Sequence, residues 1–288
     1  MRAEQVTAVE AEHGEGPVWW PAWGGLRYVD MLAGDVLTLR EDDGSVSRTH
    51  VGRVAAALRP RVGGGAVLAL ERSFALASRD DLADVRSLGE VWADPAVRFN
   101  DGGCDPDGRF YCGSMAYDAT PGAASLYRLA PGAEEGTPEV VLDGVTVSNG
   151  LGFSADGSLA YYNDTTTGRT DVFAYDRGAG LRARRPFAVF EDGAGLPDGL
   201  CVDAEGGVWV ALWGGSRVRR YAPDGTLDGV VDVPASQVSA CTFGGPELDT
   251  LYVTTSRTGL PVGAEPAAGA VFAVRPGVRG LPALPYTG

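Results

Sequence analysis

Three stretches of the 288-residue chain repeat one layout: RFNDGGCDPDGRFYCGSM, VSNGLGFSADGSLAYYND and LPDGLCVDAEGGVWVALW. Each holds a polar residue followed shortly by glycine, then a short run, an acidic-Gly pair and an alternating apolar run. The pairs are Asp107-Gly108, Asp156-Gly157 and Glu205-Gly206, 49 residues apart twice over. Such a pair between apolar runs marks a tight hairpin, because glycine accepts the positive φ that the turn demands. Weaker copies lie at Gly24-Gly25, Gly64-Gly65 and Gly245-Pro246, so six turns divide 288 residues into units of 48. A repeat of about 40–50 residues holding four short strands is a propeller blade. The spacing therefore predicts an all-β fold, a six-bladed β-propeller spanning 1–288 as a single domain. The terminal segments are expected to share a blade and close the ring. A β-sandwich would leave the fixed interval unexplained.

Composition narrows the chemistry. With 42 glycines and 18 prolines, few stretches run long enough for an extended helix. All 24 basic residues are arginine, which removes Schiff-base chemistry and the lysine-containing phosphate loop. A net charge of −14 argues against nucleic acid as a partner. His13 and His50 are the two histidines, too few for a three-histidine zinc site. Cys104, Cys112, Cys201 and Cys241 show no CxxC spacing and read as reduced core residues. No apolar run suits a signal peptide or a membrane span. The expectation is a cytoplasmic protein, monomeric or weakly homo-oligomeric, with a small-molecule substrate and no membrane partner.

Counting back from the turns locates a site. Seven residues before Asp107, Asp156 and Glu205 stand Asn100, Asn149 and Asp198, themselves 49 apart. In the same register, Glu15 and Ser239 precede the strand residues Trp19 and Phe243 by four, as Asn100 precedes Cys104. Equivalent positions of successive blades surround the propeller axis, so these five side chains are expected at one mouth of the central channel. Carboxylates converging on an axis repel unless a cation neutralises them. Glu15 and Asp198 would balance a divalent ion, with the amide oxygen of Asn149 as a third, neutral donor. Oxygen donors favour calcium, magnesium or manganese, with zinc and Fe(II) left open.

These residues resemble the SMP-30/gluconolactonase/regucalcin-like family, six-bladed propellers with a divalent metal on the axis. The matching stretches are Gly14-Glu15-Gly16-Pro17-Val18-Trp19, Arg98-Phe99-Asn100-Asp101-Gly102, Ser148-Asn149-Gly150-Leu151 and Pro197-Asp198-Gly199, in order over about residues 12–275. The resemblance implies that Glu15, Asn149 and Asp198 bind the metal, that Asp198 is also the general base, and that Arg98 and Asn100 bind substrate. The reaction it implies is metal-dependent hydrolysis of a sugar lactone or related cyclic ester. Sugar-binding members commonly carry a glutamate after a Gly-Ser/Thr-Met segment. Here Gly113-Ser114-Met115 is followed by Ala116, Tyr117 and Asp118, so Tyr117 and Asp118 are the expected substrate contacts and the sugar itself is in question. Trp213 is a further candidate for the pocket wall, and His13 for a residue just behind the metal ligands. Two other readings are another hydrolase or lyase step on the same scaffold, such as organophosphate hydrolysis, and a non-catalytic propeller that binds calcium or a partner.

Overall fold

The computed structural model of the chain describes residues 1–132 and 138–288. Its strands form six antiparallel four-stranded sheets that follow one another along the chain, so the six-bladed propeller is borne out. Blades 1 to 5 occupy residues 14–50, 55–90, 97–145, 148–189 and 196–232. Blade 6 takes three strands from residues 238–274 and its outermost strand, Glu4–Gln5, from the other end of the chain. Glu4 pairs with Ala273 and Gln5 with Phe272, closing the ring.

The first strand of each blade packs against the first strands of its two neighbours and so lines the axis. These inner strands are Gly14–Trp20, Ala55–Pro60, Val97–Cys104, Ser148–Phe153, Leu196–Val202 and Val238–Gly244. All six turns found in the sequence join an inner strand to the second strand of its blade. Gly108, Gly157 and Gly206 sit at φ +74°, +67° and +83°, a region that side chains resist.

A buried aspartate ahead of two of the three strong turns anchors them. Asp105 Oδ1 accepts the backbone N–H groups of Asp107 and Arg109, at 3.0 and 2.9 Å. Asp203 Oδ1 does the same for Glu205 and Gly207, at 2.9 and 2.7 Å, while its Oδ2 accepts from Trp209 Nε1 and Arg220 Nε at 2.8 and 2.7 Å. Aromatic rings pack within and between the blades, as with Trp209 edge-on to Phe243 and Phe74 against Phe99.

The last ten residues strap the face that carries these turns. Arg279 O accepts from Ala204 N in blade 5, and Gly280 N donates to Leu248 O in blade 6. Further on, Tyr286 N donates to Pro60 O in blade 2 and Thr287 N to Gly108 O in blade 3. Four blades are thereby tied across the axis. Among the described residues no helix is long and apolar enough to cross a membrane.

Candidate functional site

Every inner strand breaks register near its start. The shifts fall between Glu15 and Val18, Ala55 and Ala57, Phe99 and Gly102, Asn149 and Leu151, Pro197 and Leu200, and Val238 and Ala240. A bulge leaves one residue without a cross-strand partner and re-aims its side chain. Glu15, Asn100, Asn149, Asp198 and Ser239 all lie in or at the edge of these bulges, and all are buried. Blade 2 offers Ala56 at this position and no donor. The strands approach so closely here that a Cβ on Gly199 would lie 2.4 Å from Ala240 Cβ and one on Gly150 2.7 Å from Asp198 O.

The side chains at these positions differ in what they touch. Ser239 Oγ donates to Gly14 O at 2.5 Å and lies 2.9 Å from Thr254 Oγ1, so it fastens blade 6 to blade 1. Asn100 Nδ2 donates to Asn149 Oδ1 and to Ser148 O, both at 2.9 Å. Asn149 Nδ2 donates in turn to Thr165 Oγ1 at 2.7 Å. An amide so held keeps a fixed orientation, with one lone pair of Oδ1 still open to a ligand. Asn163 Nδ2 donates to the Asp198 backbone carbonyl at 2.6 Å and fixes that bulge from blade 4.

Three carboxylates are buried around this network. Burial first, then the neighbouring Asp101 charge, pushes Glu15 up to about 8. Asp198 is raised well above the usual carboxylate range by burial, then by Glu15 and Asp101. Burial also raises Asp101, whose Oδ1 accepts from Gly102 N at 2.7 Å. Asp198 Oδ1 is buried and has no hydrogen-bond partner. A buried carboxylate oxygen is costly to leave unsatisfied, and two carboxylates in mutual repulsion raise that cost. A divalent cation satisfies both demands, so the donor set fits a metal. Among the described residues no three Asp, Glu, His or Cys side chains are gathered for a metal ion, so an ion held here would take the Asn149 amide as a third donor.

Arg98 is placed differently from a forked substrate clamp. It is buried, and Nη1 donates to Asn100 Oδ1 at 2.7 Å, to Phe99 O at 2.9 Å and toward Met31 Sδ at 3.0 Å. Its guanidinium lies 5.6 Å from the Tyr117 ring centroid, and Nε has no partner. Tyr117 is half exposed and donates its hydroxyl to Glu71 Oε1 at 2.7 Å, with Arg53 Nε 3.5 Å from the same oxygen. Asp118 is not brought to this group. It is exposed and folds back on its own turn, accepting from Thr120 N and Oγ1 at 3.0 and 2.7 Å.

His13 begins the approach to Glu15 and is buried. Burial and the Arg98 charge push its imidazole down to about 4, Asp30 opposing, so the ring is neutral. Its Nδ1 lies 2.7 Å from Ser256 Oγ, and the Trp213 ring stands edge-on at 5.7 Å. Sequence reasoning passed over Asp101, Thr165 and the Glu71–Arg53 pair. Asp101 had a visible signal, since it follows Asn100 inside a repeated motif. Thr165 had none, because it lies in a connection between strands.

The comparisons agree with the fold. Residues 13–257 match the model of the SMP-30/Gluconolactonase/LRE-like region. The chain belongs to the SMP-30/gluconolactonase family. It is 35% identical to regucalcin of Danio rerio over 298 residues, covering 100% of this chain and 99% of the relative. It is also 35% identical to Pentonolactonase XacC of Haloferax volcanii over 257 residues, 89% of this chain and 86% of that one. A solved calcium-binding protein, regucalcin from Agrobacterium tumefaciens, superposes with a TM-score of 0.92 at 27% identity, covering 99% of this chain and 97% of that chain.

Proposed function

We propose that this protein is a divalent-metal-dependent lactonase that opens a sugar lactone or related cyclic ester. The observation that carries the reading is the unpartnered Asp198 Oδ1, buried beside Glu15 at the mouth of the channel. Glu15, Asn149 and Asp198 would hold the ion, which supplies Lewis-acid polarisation of the lactone carbonyl when bound. Asp198, kept ionised there, accepts the proton of the attacking water. It is a weak base, and its value is placement. Asn100 holds the Asn149 amide and, with Arg98 behind it, presents a polar edge to the ring oxygens. Tyr117, Trp213 and His13 form the wall that a sugar ring would face.

Calcium, magnesium and manganese suit this oxygen-rich donor set, and zinc or Fe(II) are admitted by it. The lactone-hydrolysing relative at 35% identity supports the reaction class. The regucalcin relatives support a divalent ion.

Metal analysis of the purified protein, followed by an aldonolactone panel with that metal restored, tests the proposal. One bound divalent ion and turnover of at least one aldonolactone are expected. Asp198→Asn should lower kcat/KM by about 10²–10⁴-fold, the usual yield of a positioned general base. Undiminished hydrolysis by that variant would overturn the mechanism. A metal-loaded protein inactive on every lactone would leave the calcium-binding reading in its place.

A further inference from the structure

The channel has a second chamber. Two to four residues beyond the bulges, about 10 Å further along the inner strands, the same six strands line a cavity of about 540 Å³. None of Glu15, Asn100, Asn149 or Asp198 reaches it. Most of its lining side chains are apolar, with Val18, Phe153, Leu200 and Val202 contributed by the blades, while about half of the exposed wall is polar, much of it backbone. Leu281 and Leu284 come from the C-terminal strap, which runs across the outer side.

Three charged side chains line it, Arg59, Asp156 and Arg177, and Arg59 is the one carried by an inner strand. Arg59, on the inner strand of blade 2, is half-buried in the cavity lining. Its Nη1 donates to Leu58 O at 2.6 Å, and no carboxylate among the described residues pairs with it. The groups around it explain why. Asp101 feels its charge but spends Oδ1 on Gly102 N. Arg177 at the rim leans toward Asp107, 3.6 Å away, and Asp156 at the rim accepts from Ser154 and Ser158. A guanidinium in apolar surroundings gains most from a planar anion that it can bind with two parallel hydrogen bonds. The cavity has the volume of a small-ligand site, and apolar side chains with a few polar groups are the usual composition of such sites.

We propose that this chamber binds a small organic monocarboxylate, its carboxylate on Arg59 and its hydrocarbon body against Leu200, Val202, Leu281 and Leu284. The site is separate from the metal centre and does not depend on the lactonase reading. The acidic surface, net −14, does not attract anions. Selection therefore comes from the chamber itself: one carboxylate, and an apolar body that leaves water on entry.

Isothermal titration with sodium octanoate, against 1-octanol and sodium acetate, tests it on the full-length metal-loaded protein. Octanoate should bind with a Kd on the order of 10–100 μM, and 1-octanol and acetate at least about tenfold more weakly. Arg59→Gln should weaken octanoate more than about tenfold. Thr242→Phe, which fills the chamber from blade 6 and leaves Arg59 in place, should also abolish binding. Asp198→Asn should leave octanoate affinity unchanged. The proposal is overturned by undetectable octanoate binding to the wild-type protein. It is equally overturned by equal affinity for octanol, by retained affinity in Thr242→Phe, or by loss in Asp198→Asn, which would put the anion at the metal end. Lactone turnover does not enter these readouts, so failure here and failure of the lactonase reading are distinct results.

Discussion

At the residue scale, the site is a chain of donors rather than a ring of exposed ligands. Arg98 holds Asn100, Asn100 holds Asn149, and Thr165 holds the far side of the Asn149 amide. Partners that orient a metal ligand typically matter about 10–100-fold for metal affinity. Thr165→Val keeps the shape and removes the acceptor, so titration with a divalent metal should show affinity lower by about that factor, and the metal-free protein should lose about 1–3 kcal/mol for the Asn149 N–H left unpaired. Tyr117→Phe keeps the ring over Arg98 and loses the bond to Glu71. Substrate kinetics should then show a higher KM, by a few-fold as for one hydrogen bond, with little change in kcat. The polar residues ahead of glycine were legible in the sequence because the repeat marks them. Asp118 was expected among the substrate contacts, and the structure gives it to Thr120, a local Asx turn that adjacency in sequence conceals.

At the scale of the element, each blade is built on a bulged inner strand, and in blades 3 and 5 the turn that follows has a buried anchor. The turns were legible because acidic-Gly pairs announce them. The anchors of two of them, Asp105 and Asp203, stand two residues earlier and 98 residues apart, twice the turn interval, and look like ordinary turn residues until their burial is seen. Asp203→Ala strands the Trp209 indole and takes from Arg220 its one buried partner, leaving it Asp228 and Glu205 at the surface. Breaking one side of a buried pair costs about 3–5 kcal/mol, so urea unfolding should show a loss of that size. Asp156→Ala, in the exposed equivalent turn, should cost about 1 kcal/mol or less. The bulges themselves could not be read from the sequence. A register break depends on the pairing partner, which lies in the next strand.

At the scale of the whole molecule, closure decides stability and chemistry together. Residues Glu4–Gln5 complete blade 6, and the strap at 279–288 ties blades 2, 3, 5 and 6. Deleting residues 1–5 exposes the edge of blade 6 and should lower the Tm by roughly 5–10 °C, equivalent to a few kcal/mol for a chain of this size. A saturating divalent ion at about 100 times its Kd should add about 2.7 kcal/mol of stability. That gain, read as a thermal shift on metal addition, should vanish in Asp198→Asn. What the amino-acid order determined by itself was the period: six turns, six blades and one polar position in register in five of them. A repeat is a local signal, since each unit must present the same turn chemistry to close the same hairpin. Only the tertiary structure decided which of those polar side chains share a space. It turned Ser239 to the seam between blades and Arg98 inward behind Asn100, left Asp198 Oδ1 unpaired, and placed Arg59 in the second chamber without a carboxylate partner among the described residues. Those outcomes depend on contacts between blades, where residues more than 40 positions apart meet across the axis and compete for the same partners.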